Sequence, residues 1–277
     1  MRGEKEGAAT LRLSKHEGAG NDFLVMIDLE GRCRLSDAEV RALCDRRRGV
    51  GADGLIRILS GRGRADLAME LRNADGGVAE TSGNGLRCLA QAAVEAGLVE
   101  PPRFSVSTGA GLASVEFVRG TEGADRATVD MGVVRLVGPE ALDPAGRVMQ
   151  RADTGNPHVV VRCEDPALVD LAAEATALAT SEPAGANVEF VAPGPGPDEI
   201  TMRVYERGVG ETWACGSGSC AAAAVARSWG LVGDRVSVRN PGGTLDVALG
   251  RKDGDPVLLS GPVRRVATIE IDRNVLV

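Results

Sequence analysis

The chain has 277 residues, of which 43% are hydrophobic and 26% charged, a composition that fits one large globular domain or two of about 130 residues. A formal net charge of −7 argues against a nucleic-acid partner, which favours a basic face, and the apolar runs are shorter than the roughly 20 residues that span a bilayer. Six cysteines without CxxC spacing and only two histidines argue against a metal site. Because the N-terminus also lacks an apolar signal segment, we expect a cytoplasmic protein with free thiols and with no membrane or nucleic-acid partner.

Apolar alternation and turn residues predict short strands and two helices in the first half of the chain. Ser36 is the expected N-cap of a helix over 37–47 because Glu39 completes a capping box, and a second helix is predicted over about 84–96. A turn-rich segment near 120–127 marks the expected boundary between two halves. Strands are predicted at 10–17, 23–27, 55–59, 68–72, 103–108, 111–118 and 126–131.

The second half of the chain repeats this plan, with helices near 166–178 and directly after Cys215. Its Pro- and Gly-rich segment at 193–198 is expected to be a hairpin loop rather than a linker, because predicted strands flank it closely. Many strands with few helices predict an α+β fold in which a largely antiparallel sheet wraps around one helix in each half. Strands are predicted near 158–163, 186–191, 200–206, 234–239, 243–248, 257–260 and 267–272.

An internal repeat is the most informative feature of the sequence. Residues 82–99 align without a gap with residues 215–232, and each copy is a Ser or Cys, then Gly-x-Gly, then an Ala-rich helix closed by Gly. Two facing halves would place residues 82 and 215 on opposite sides of one cleft, each at a helix N-terminus. Two proton carriers on opposite faces of a substrate provide the geometry for inverting a carbon stereocentre. The identical pairs are Gly83/Gly216, Gly85/Gly218, Ala90/Ala223, Ala93/Ala226, Gly97/Gly230, Leu98/Leu231 and Val99/Val232.

Cys215 is the strongest candidate for a catalytic residue. A thiol at a helix N-terminus is expected to have a lowered pKa, and Arg207 would lower it further. The following Gly-x-Gly allows the backbone to approach an anion such as a substrate carboxylate, whereas the other five cysteines are interpreted as buried, non-reactive residues. Ser82 is either the N-cap of its helix or a second proton carrier, and both interpretations stay open.

Polar residues in turns could complete a site for a small zwitterion. Any one of the asparagines described below could simply form an Asx-turn, but together with the neighbouring Glu206 and Arg207 they supply neutral and charged hydrogen-bonding groups. For His158 a structural role is favoured over a catalytic one. No Walker loop and no lysine in a Schiff-base setting is present, which argues against nucleotide and pyridoxal chemistry. The four asparagines at Gly- or Pro-marked turns are Asn21, Asn73, Asn156 and Asn187.

Several motifs resemble those of the diaminopimelate epimerase family, in the family's order from about residue 11 to the C-terminus. The resemblance implies a pyridoxal-independent epimerase, without a cofactor, that has two pseudo-symmetric halves. These halves would be residues 1–126 with 261–277 and residues 127–260, with the last strand returning to the first half and the active site in the cleft between them. The motifs are Gly18-Ala-Gly-Asn-Asp-Phe23, Gly49-Val-Gly-Ala-Asp-Gly-Leu55, Asn73-Ala-Asp-Gly76, Gly83-Asn-Gly-Leu-Arg-Cys88, Gly155-Asn-Pro-His158, Asn187-Val-Glu-Phe190, Tyr205-Glu-Arg-Gly-Val-Gly-Glu-Thr212 and Ala214-Cys-Gly-Ser-Gly218.

The resemblance also implies residue roles. Cys215 would be one acid–base residue, but where the family has a second cysteine this chain has Ser82. The α-carboxylate would be held at the helix N-termini by Gly83, Asn84, Gly216 and Ser217. The remaining substrate contacts would come from Asn21, Asn73, Asn156, Asn187, Glu206 and Arg207.

Three functions follow from these observations. The first is epimerisation of the α-carbon of diaminopimelate, from the LL to the meso form, or of a similar amino acid, in lysine and cell-wall precursor biosynthesis. The second is a related racemase, or a dehydratase of a β-substituted amino acid, that uses Cys215 with Ser82. The third is a Cys-to-Ser variant, natural or engineered, that binds a small amino acid without turning it over. Self-association as a homodimer is left open.

Overall fold

The computed structural model describes residues 10–79, 82–120, 125–182, 185–252 and 254–276. The chain divides into a first unit of residues 1–18, 22–125 and 263–277, and a second unit of residues 19–21 and 126–262. Within the described ranges, no helix is both long and apolar enough to cross a membrane.

The first unit contains helices α1 (Asp37–Cys44) and α2 (Gly83–Glu95). A final 3-10 turn, Arg273–Leu276, also belongs to this unit. The strands from the N-terminus to the start of the second unit are β1 (Thr10–Gly18), β2 (Asn21–Ile27), β3 (Gly54–Ser60), β4 (Leu67–Asn73), β5 (Val78–Ala79), β6 (Arg103–Thr108), β7 (Gly111–Val118) and β8 (Asp125–Asp130).

The second unit contains helices α3 (Leu171–Ser181) and α4 (Gly216–Ser228). The strands that follow β8 in the chain are β9 (Arg135–Leu142), β10 (Val148–Asp153), β11 (Pro157–Arg162), β12 (Asn187–Pro193), β13 (Glu199–Glu206), β14 (Gly210–Thr212), β15 (Arg235–Asn240), β16 (Gly243–Ala248) and β17 (Leu258–Asp272). Residues 258–260 of β17 pair with β16, and residues 264–272 pair with β1.

The two units repeat one strand-pairing scheme. In the first, β2 is parallel to β3, β3 is antiparallel to β4, β4 pairs with the short β5 and with the parallel β6, and β6 forms a hairpin with β7. In the second, β11 to β16 pair in the same way and in the same order. Helices α1 and α3 connect the parallel pairs β2–β3 and β11–β12, while α2 and α4 precede β6 and β15. The predicted α+β fold with pseudo-symmetric halves is therefore confirmed.

Helices α2 and α4 form the centre of their respective units. Nearly every residue of both helices is buried, and α4 contacts six strands of its unit, from β10 to β16. The Gly- and Ala-rich sequences make this burial possible, because small side chains on all faces allow a sheet to pack closely around a helix.

The two central helices also end in the same way. Gly97 and Gly230, with φ of +67° and +70°, follow the last turns of α2 and α4. The next N–H groups, of Leu98 and Leu231, donate to a carbonyl five residues earlier at 2.9 and 3.0 Å. These are Schellman motifs, in which a left-handed residue is required and glycine adopts that conformation without strain. The repeat seen in the sequence is thus a repeat of helix ends as well as of helix cores.

Several predicted boundaries are wrong, and local hydrogen bonds explain two of them. The helix predicted over 166–178 is interrupted: Asp165 caps a 3-10 turn at Pro166–Leu168, and Asp170 then caps α3 anew. Helix α1 ends at Cys44 rather than at 47, because the Asp45 carboxylate accepts the backbone N–H groups of Arg47 and Arg48, each at 2.8 Å.

Some strands were not predicted from the sequence. Strands β5, β9, β10 and β14 are absent from the prediction, and the two strands predicted at the end of the chain are the single strand β17. The side chains of β9 are almost all exposed, so its sequence lacks the alternation that indicates a half-buried strand.

The capping box of α1 provides a test of stability against pH. Ser36 N–H donates to the Glu39 carboxylate at 2.7 Å, and Arg273 Nε donates to it at 2.5 Å. The hydrogen bond from Arg273 lowers the pKa of Glu39 to about 2, so this carboxylate stabilises the fold above its unfolded pKa of about 4.3 and loses that effect as the pH falls towards 2. We expect Glu39→Gln to lower the free energy of unfolding by about 1–3 kcal/mol at pH 7.

Urea unfolding between pH 7 and pH 2.5 would measure this difference. The gap between wild type and Glu39→Gln should narrow below about pH 4, because the Glu39 carboxylate then becomes protonated in the unfolded chain while it is still ionised in the folded protein. The same substitution at the exposed Glu30 is a matched control, expected to change stability by less than about 0.5 kcal/mol. A gap that stays constant across this range would contradict the assignment.

Candidate active site

Cys215 is the N-cap of α4 and lies at the buried beginning of that helix. Its backbone is extended, with φ −125° and ψ 120°, and its Sγ accepts the Gly218 N–H at 3.4 Å. The Ser217 hydroxyl lies 3.5 Å from the same sulfur. Only 5% of the residue is exposed, so the thiol interacts mainly with protein groups.

Glu189 on β12 and His158 on β11 form a buried pair beside this helix end. His158 Nδ1 lies 2.7 Å from Glu189 Oε1, and both side chains are completely buried. The other carboxylate oxygen, Oε2, is buried without a hydrogen-bond partner among the described residues. A Cβ added to Gly218 would lie 2.6 Å from Glu189 Oε1 and 3.3 Å from Cys215 Sγ. The carboxylate and the thiol are therefore no more than about 6 Å apart, and they can be this close because residue 218 has no side chain.

The second nitrogen of His158 faces two further polar side chains. Nε2 lies 3.0 Å from the Thr154 hydroxyl and 3.2 Å from Asn156 Oδ1, and the Thr154 hydroxyl donates to Asn156 at 2.8 Å. His158 therefore contacts Glu189 through one ring nitrogen and Thr154 and Asn156 through the other.

Glu206, at the end of β13, is the third ionisable group near the thiol. It accepts a hydrogen bond from the Thr212 hydroxyl, and its carboxylate is close enough to Cys215 to raise the pKa of the thiol. Burial raises the pKa of Glu206, and the charge of Glu189 raises it further.

The structure corrects the expectation that the pKa of Cys215 is lowered. Burial raises the pKa of this thiol well above its usual value, and the carboxylates of Glu206 and Glu189 raise it further. The Ser217 hydroxyl and the Gly218 N–H act in the opposite direction, as expected at a helix N-terminus, but their effect is smaller. Arg207, which was expected to stabilise a thiolate, has an exposed side chain. These surroundings favour the protonated form of the Cys215 thiol.

Other candidate residues of the second unit surround this cluster. Asn187 begins β12 two residues before Glu189, is almost fully buried, and accepts the Arg207 N–H at 2.9 Å. Gly216 is buried in the first turn of α4. Asn21 follows Gly20, whose φ is +81° and which packs against Trp213, two residues before Cys215.

In the first unit, Ser82 has the same place at the start of α2 as Cys215 has in α4. Its backbone is extended, with φ −151° and ψ 124°, and its hydroxyl accepts the Gly85 N–H at 3.0 Å. Gly83 and Asn84 are buried in the first turn of the helix. Asn73 is the exposed last residue of β4, where its N–H donates to Gly77 at 2.8 Å.

The two helix starts differ in the side chains packed beside them. Phe23 on β2 pairs with Gly54, the first residue of β3, and His158 on β11 pairs with Asn187, the first residue of β12. Phe23 is therefore the counterpart of His158 in the first unit. Two residues further along those strands, Ile56 is the counterpart of Glu189. A Cβ added to Gly85 would meet Ile56 Cδ1 at 3.4 Å, as one at Gly218 would meet Glu189.

Glu206 also has an uncharged counterpart in the first unit. Asn73 on β4 pairs with Gly54, the first residue of β3. Tyr205 on β13 pairs with Val188 on β12, so the next residue, Glu206, lies opposite Asn187, the first residue of β12. Of the equivalent positions, only those near Cys215 therefore carry ionisable side chains.

Sequence reasoning did not identify Glu189 and interpreted His158 as structural. A signal was present, because Glu189 is the one charged residue in the otherwise apolar run 188–192. An acidic side chain in a buried strand requires a partner and marks a candidate functional group. Of the other cysteines, Cys44, Cys88 and Cys220 are buried as expected, whereas Cys33 and Cys163 are partly exposed.

Comparison with known proteins agrees with this geometry. The family model described as diaminopimelate epimerase matches residues 13–137 and 151–266. A diaminopimelate epimerase from Thermobifida fusca is 41% identical over 96% of this chain and 100% of its own length, and one from Rhodococcus jostii is 40% identical over 94% and 96%. The chain belongs to the diaminopimelate epimerase family.

Solved structures with lower sequence identity share the fold. A hydroxyproline epimerase from Agrobacterium vitis, with bound trans-4-hydroxy-L-proline, gives a TM-score of 0.73 at 17% identity, covering 97% of this chain and 94% of that one. A phenazine biosynthesis protein of the PhzF family from Bacillus anthracis gives 0.72 at 15% identity, covering 95% and 99%. At this identity the likeness concerns the fold.

The close approach of Glu189 to α4 predicts different effects for one substitution at two equivalent glycines. Gly218→Ala places a methyl group 2.6 Å from Glu189 Oε1, inside van der Waals contact, whereas Gly85→Ala meets its nearest atom, Ser82 Cβ, at 3.2 Å. We expect Gly218→Ala to lower the free energy of unfolding by about 1–3 kcal/mol more than Gly85→Ala does. Urea unfolding of both variants tests this expectation, and equal effects would show that the carboxylate does not limit the space at residue 218.

Proposed function

We propose that this chain is a cofactor-independent epimerase that inverts the α-carbon of diaminopimelate, from the LL to the meso form. Family membership supports the reaction, and the cluster of Cys215, Glu206, Glu189 and His158 supports its chemistry. This reaction would supply a precursor for lysine and for the cell wall. The substrate class is a small amino acid, the location is the cytoplasm, no nucleic-acid or membrane partner is involved, and assembly as a homodimer is compatible with the proposal.

The proposed site has Cys215 and Ser82 on opposite faces of the substrate, in a cleft between the two halves. The α-carboxylate is bound by the helix N-termini through Gly83, Asn84, Gly216 and Ser217, where backbone N–H groups and the helix dipoles favour an anion. The same groups stabilise the negative charge that develops when the α-proton leaves. The remainder of the substrate is bound by Asn21, Asn73, Asn156, Asn187, Glu206 and Arg207.

Cys215 must lose its proton before it can act as a base. Glu206 is close enough to the thiol to affect its pKa, and the raised pKa of this carboxylate makes it a better proton acceptor than an ordinary glutamate. Transfer of the thiol proton to Glu206 leaves a thiolate and a neutral acid, without changing the net charge. The thiolate then takes the α-proton, and the Ser82 hydroxyl returns a proton to the opposite face. Proton exchange with solvent then removes the extra proton from Glu206 and restores the one that Ser82 has lost.

Serine at residue 82 makes the two directions of the reaction unequal. A hydroxyl can donate a proton to a carbanion, but it is far less acidic than a thiol and has no ionisable neighbour at the positions of Phe23, Ile56 and Asn73 to activate it as a base. We therefore propose that abstraction by Cys215 is the faster direction. A dehydratase acting on a β-substituted amino acid would also use Cys215 alone as a base, and Ser82 is the one observation in its favour.

Exchange of the substrate α-hydrogen in heavy water tests the proposed function. We expect NMR to detect solvent deuterium entering the α-position of an LL- or meso-diaminopimelate isomer, and we expect Cys215→Ala to abolish this exchange because it removes the abstracting base. Cys220→Ala, five residues further along α4, is a matched control that should retain exchange. No exchange with any diaminopimelate isomer would refute the proposal, and formation of a keto acid from a β-substituted amino acid would favour the dehydratase.

The role of Ser82 is tested by restoring a thiol. We expect Ser82→Cys to raise the epimerisation rate by about 10²–10⁴-fold, the range that one general acid–base group contributes. The variant must be kept reduced so that no disulfide forms. Ser82→Ala should remove inversion and cost about 0.5–2 kcal/mol of stability through loss of the cap. An unchanged rate for reduced Ser82→Cys would mean that Ser82 is only a helix cap.

A further inference from the structure

Glu189 is an acidic residue in the protein interior, where burying a charged group costs free energy. Its side chain is completely buried, one oxygen faces His158 at 2.7 Å, and the other has no hydrogen-bond partner among the described residues. A buried polar atom without a partner costs free energy, so its retention calls for a role beyond packing. The equivalent place in the first unit holds Ile56, which shows that the scaffold itself accepts an apolar side chain at this position.

The position of Glu189 links it to both groups of the proposed proton transfer. Its carboxylate lies no more than about 6 Å from Cys215 Sγ, across the missing side chain of Gly218. The like charge of Glu189 acts on Cys215 and also on Glu206. The charged or titratable groups that face the thiol from the strands around α4 are Glu189 on β12, Glu206 on β13 and, behind Glu189, His158 on β11.

We propose that Glu189 is a positioning residue whose buried negative charge keeps one proton on the Cys215–Glu206 pair at neutral pH. The inference rests on the proposed function, because it assigns Glu189 a task in proton transfer at Cys215. A negative charge within about 6 Å disfavours a second one, so while Glu189 is ionised the thiol and Glu206 do not both lose their protons. His158 pairs with one oxygen of Glu189 and holds the carboxylate at this distance.

This arrangement has a consequence for turnover. A pair that retains one proton can pass it between Sγ and the Glu206 carboxylate, so the thiolate forms without uptake or release of a proton by solvent. With Glu189 neutral, the pair would lose its proton at a lower pH and would then lack the proton that passes between the two groups. Glu189 thus acts through Cys215 and Glu206 and needs no contact with the substrate.

The pH dependence of Cys215 alkylation tests the inference without turnover. Iodoacetamide labelling of the folded protein, with mass spectrometry fragmentation to resolve Cys215 from Cys220, gives the pH at which half of the limiting rate is reached. For wild type we expect this half-point to lie above the value of about 8.5 typical of a free cysteine. Glu189→Gln removes the charge while its amide oxygen can still accept from His158, and we expect it to move the half-point down by about one to three pH units.

Two matched variants separate charge from structure. Glu189→Asp keeps the charge and should leave the half-point much closer to wild type than Glu189→Gln does. Glu164→Gln makes the same change at an exposed position of the second unit and should leave it unchanged. The acid limb of the pH profile for α-hydrogen exchange should move in the same direction as the half-point in Glu189→Gln.

Two results of the alkylation experiment would contradict the role of Glu189. A half-point that stays the same or rises in Glu189→Gln would overturn the inference, and so would a wild-type half-point at or below about 8.5, which needs no variant to fold. If wild type exchanges no α-hydrogen with any diaminopimelate isomer but the half-point still falls in Glu189→Gln, the proposed function fails while the electrostatic role of Glu189 stands.

Discussion

The chemistry of this protein depends on one electrostatic constraint, which is the crowding of a thiol and two carboxylates at the buried start of α4. Cys215, Glu206 and Glu189 come from three different segments of the chain, and each would carry a negative charge if fully ionised. Burial removes the water that would screen them, so their mutual repulsion keeps a proton in the cluster. Among the described residues, His158 lies beside this cluster and contacts Glu189 at 2.7 Å. The lack of a side chain at Gly218 makes the crowding sterically possible.

The internal repeat shows how one scaffold carries two different chemical environments. Both units use the same strand pairing, an extended N-cap whose side chain accepts the N–H three residues on, and a glycine-terminated central helix. These features concern backbone hydrogen bonds, and they are preserved in both copies. Side chains at matching register positions are free to differ, and Phe23, Ile56 and Asn73 replace the ionisable set beside Cys215.

The parts of the structure that sequence analysis predicts well are those determined by local interactions. The caps at Ser36 and Ser82, the glycines that end α2 and α4, and most strand positions follow from residues close together in the chain. The direction of the Cys215 pKa was predicted wrongly because it depends on the burial of the thiol and on the carboxylates of Glu206 and Glu189, which reach the thiol only through the packing of β12 and β13 against α4. Strand β9 was missed because an exposed strand carries no hydrophobic alternation.

The side chains around the starts of α4 and α2 match the different acidities of Cys215 and Ser82. A thiol titrates not far above neutral pH, so its surroundings decide whether Cys215 holds its proton, and burial together with the charges of Glu206 and Glu189 favours the protonated form. A serine hydroxyl keeps its proton throughout the physiological range, so Ser82 needs no such cluster to be ready as a donor. Both helix starts therefore present a protonated group before substrate binds. A base must then be generated once substrate binds, and the proposed transfer of the thiol proton to Glu206 would generate it on the Cys215 side. The Ser82 side has no equivalent acceptor at the matching register positions, and for this reason abstraction is expected to begin at Cys215.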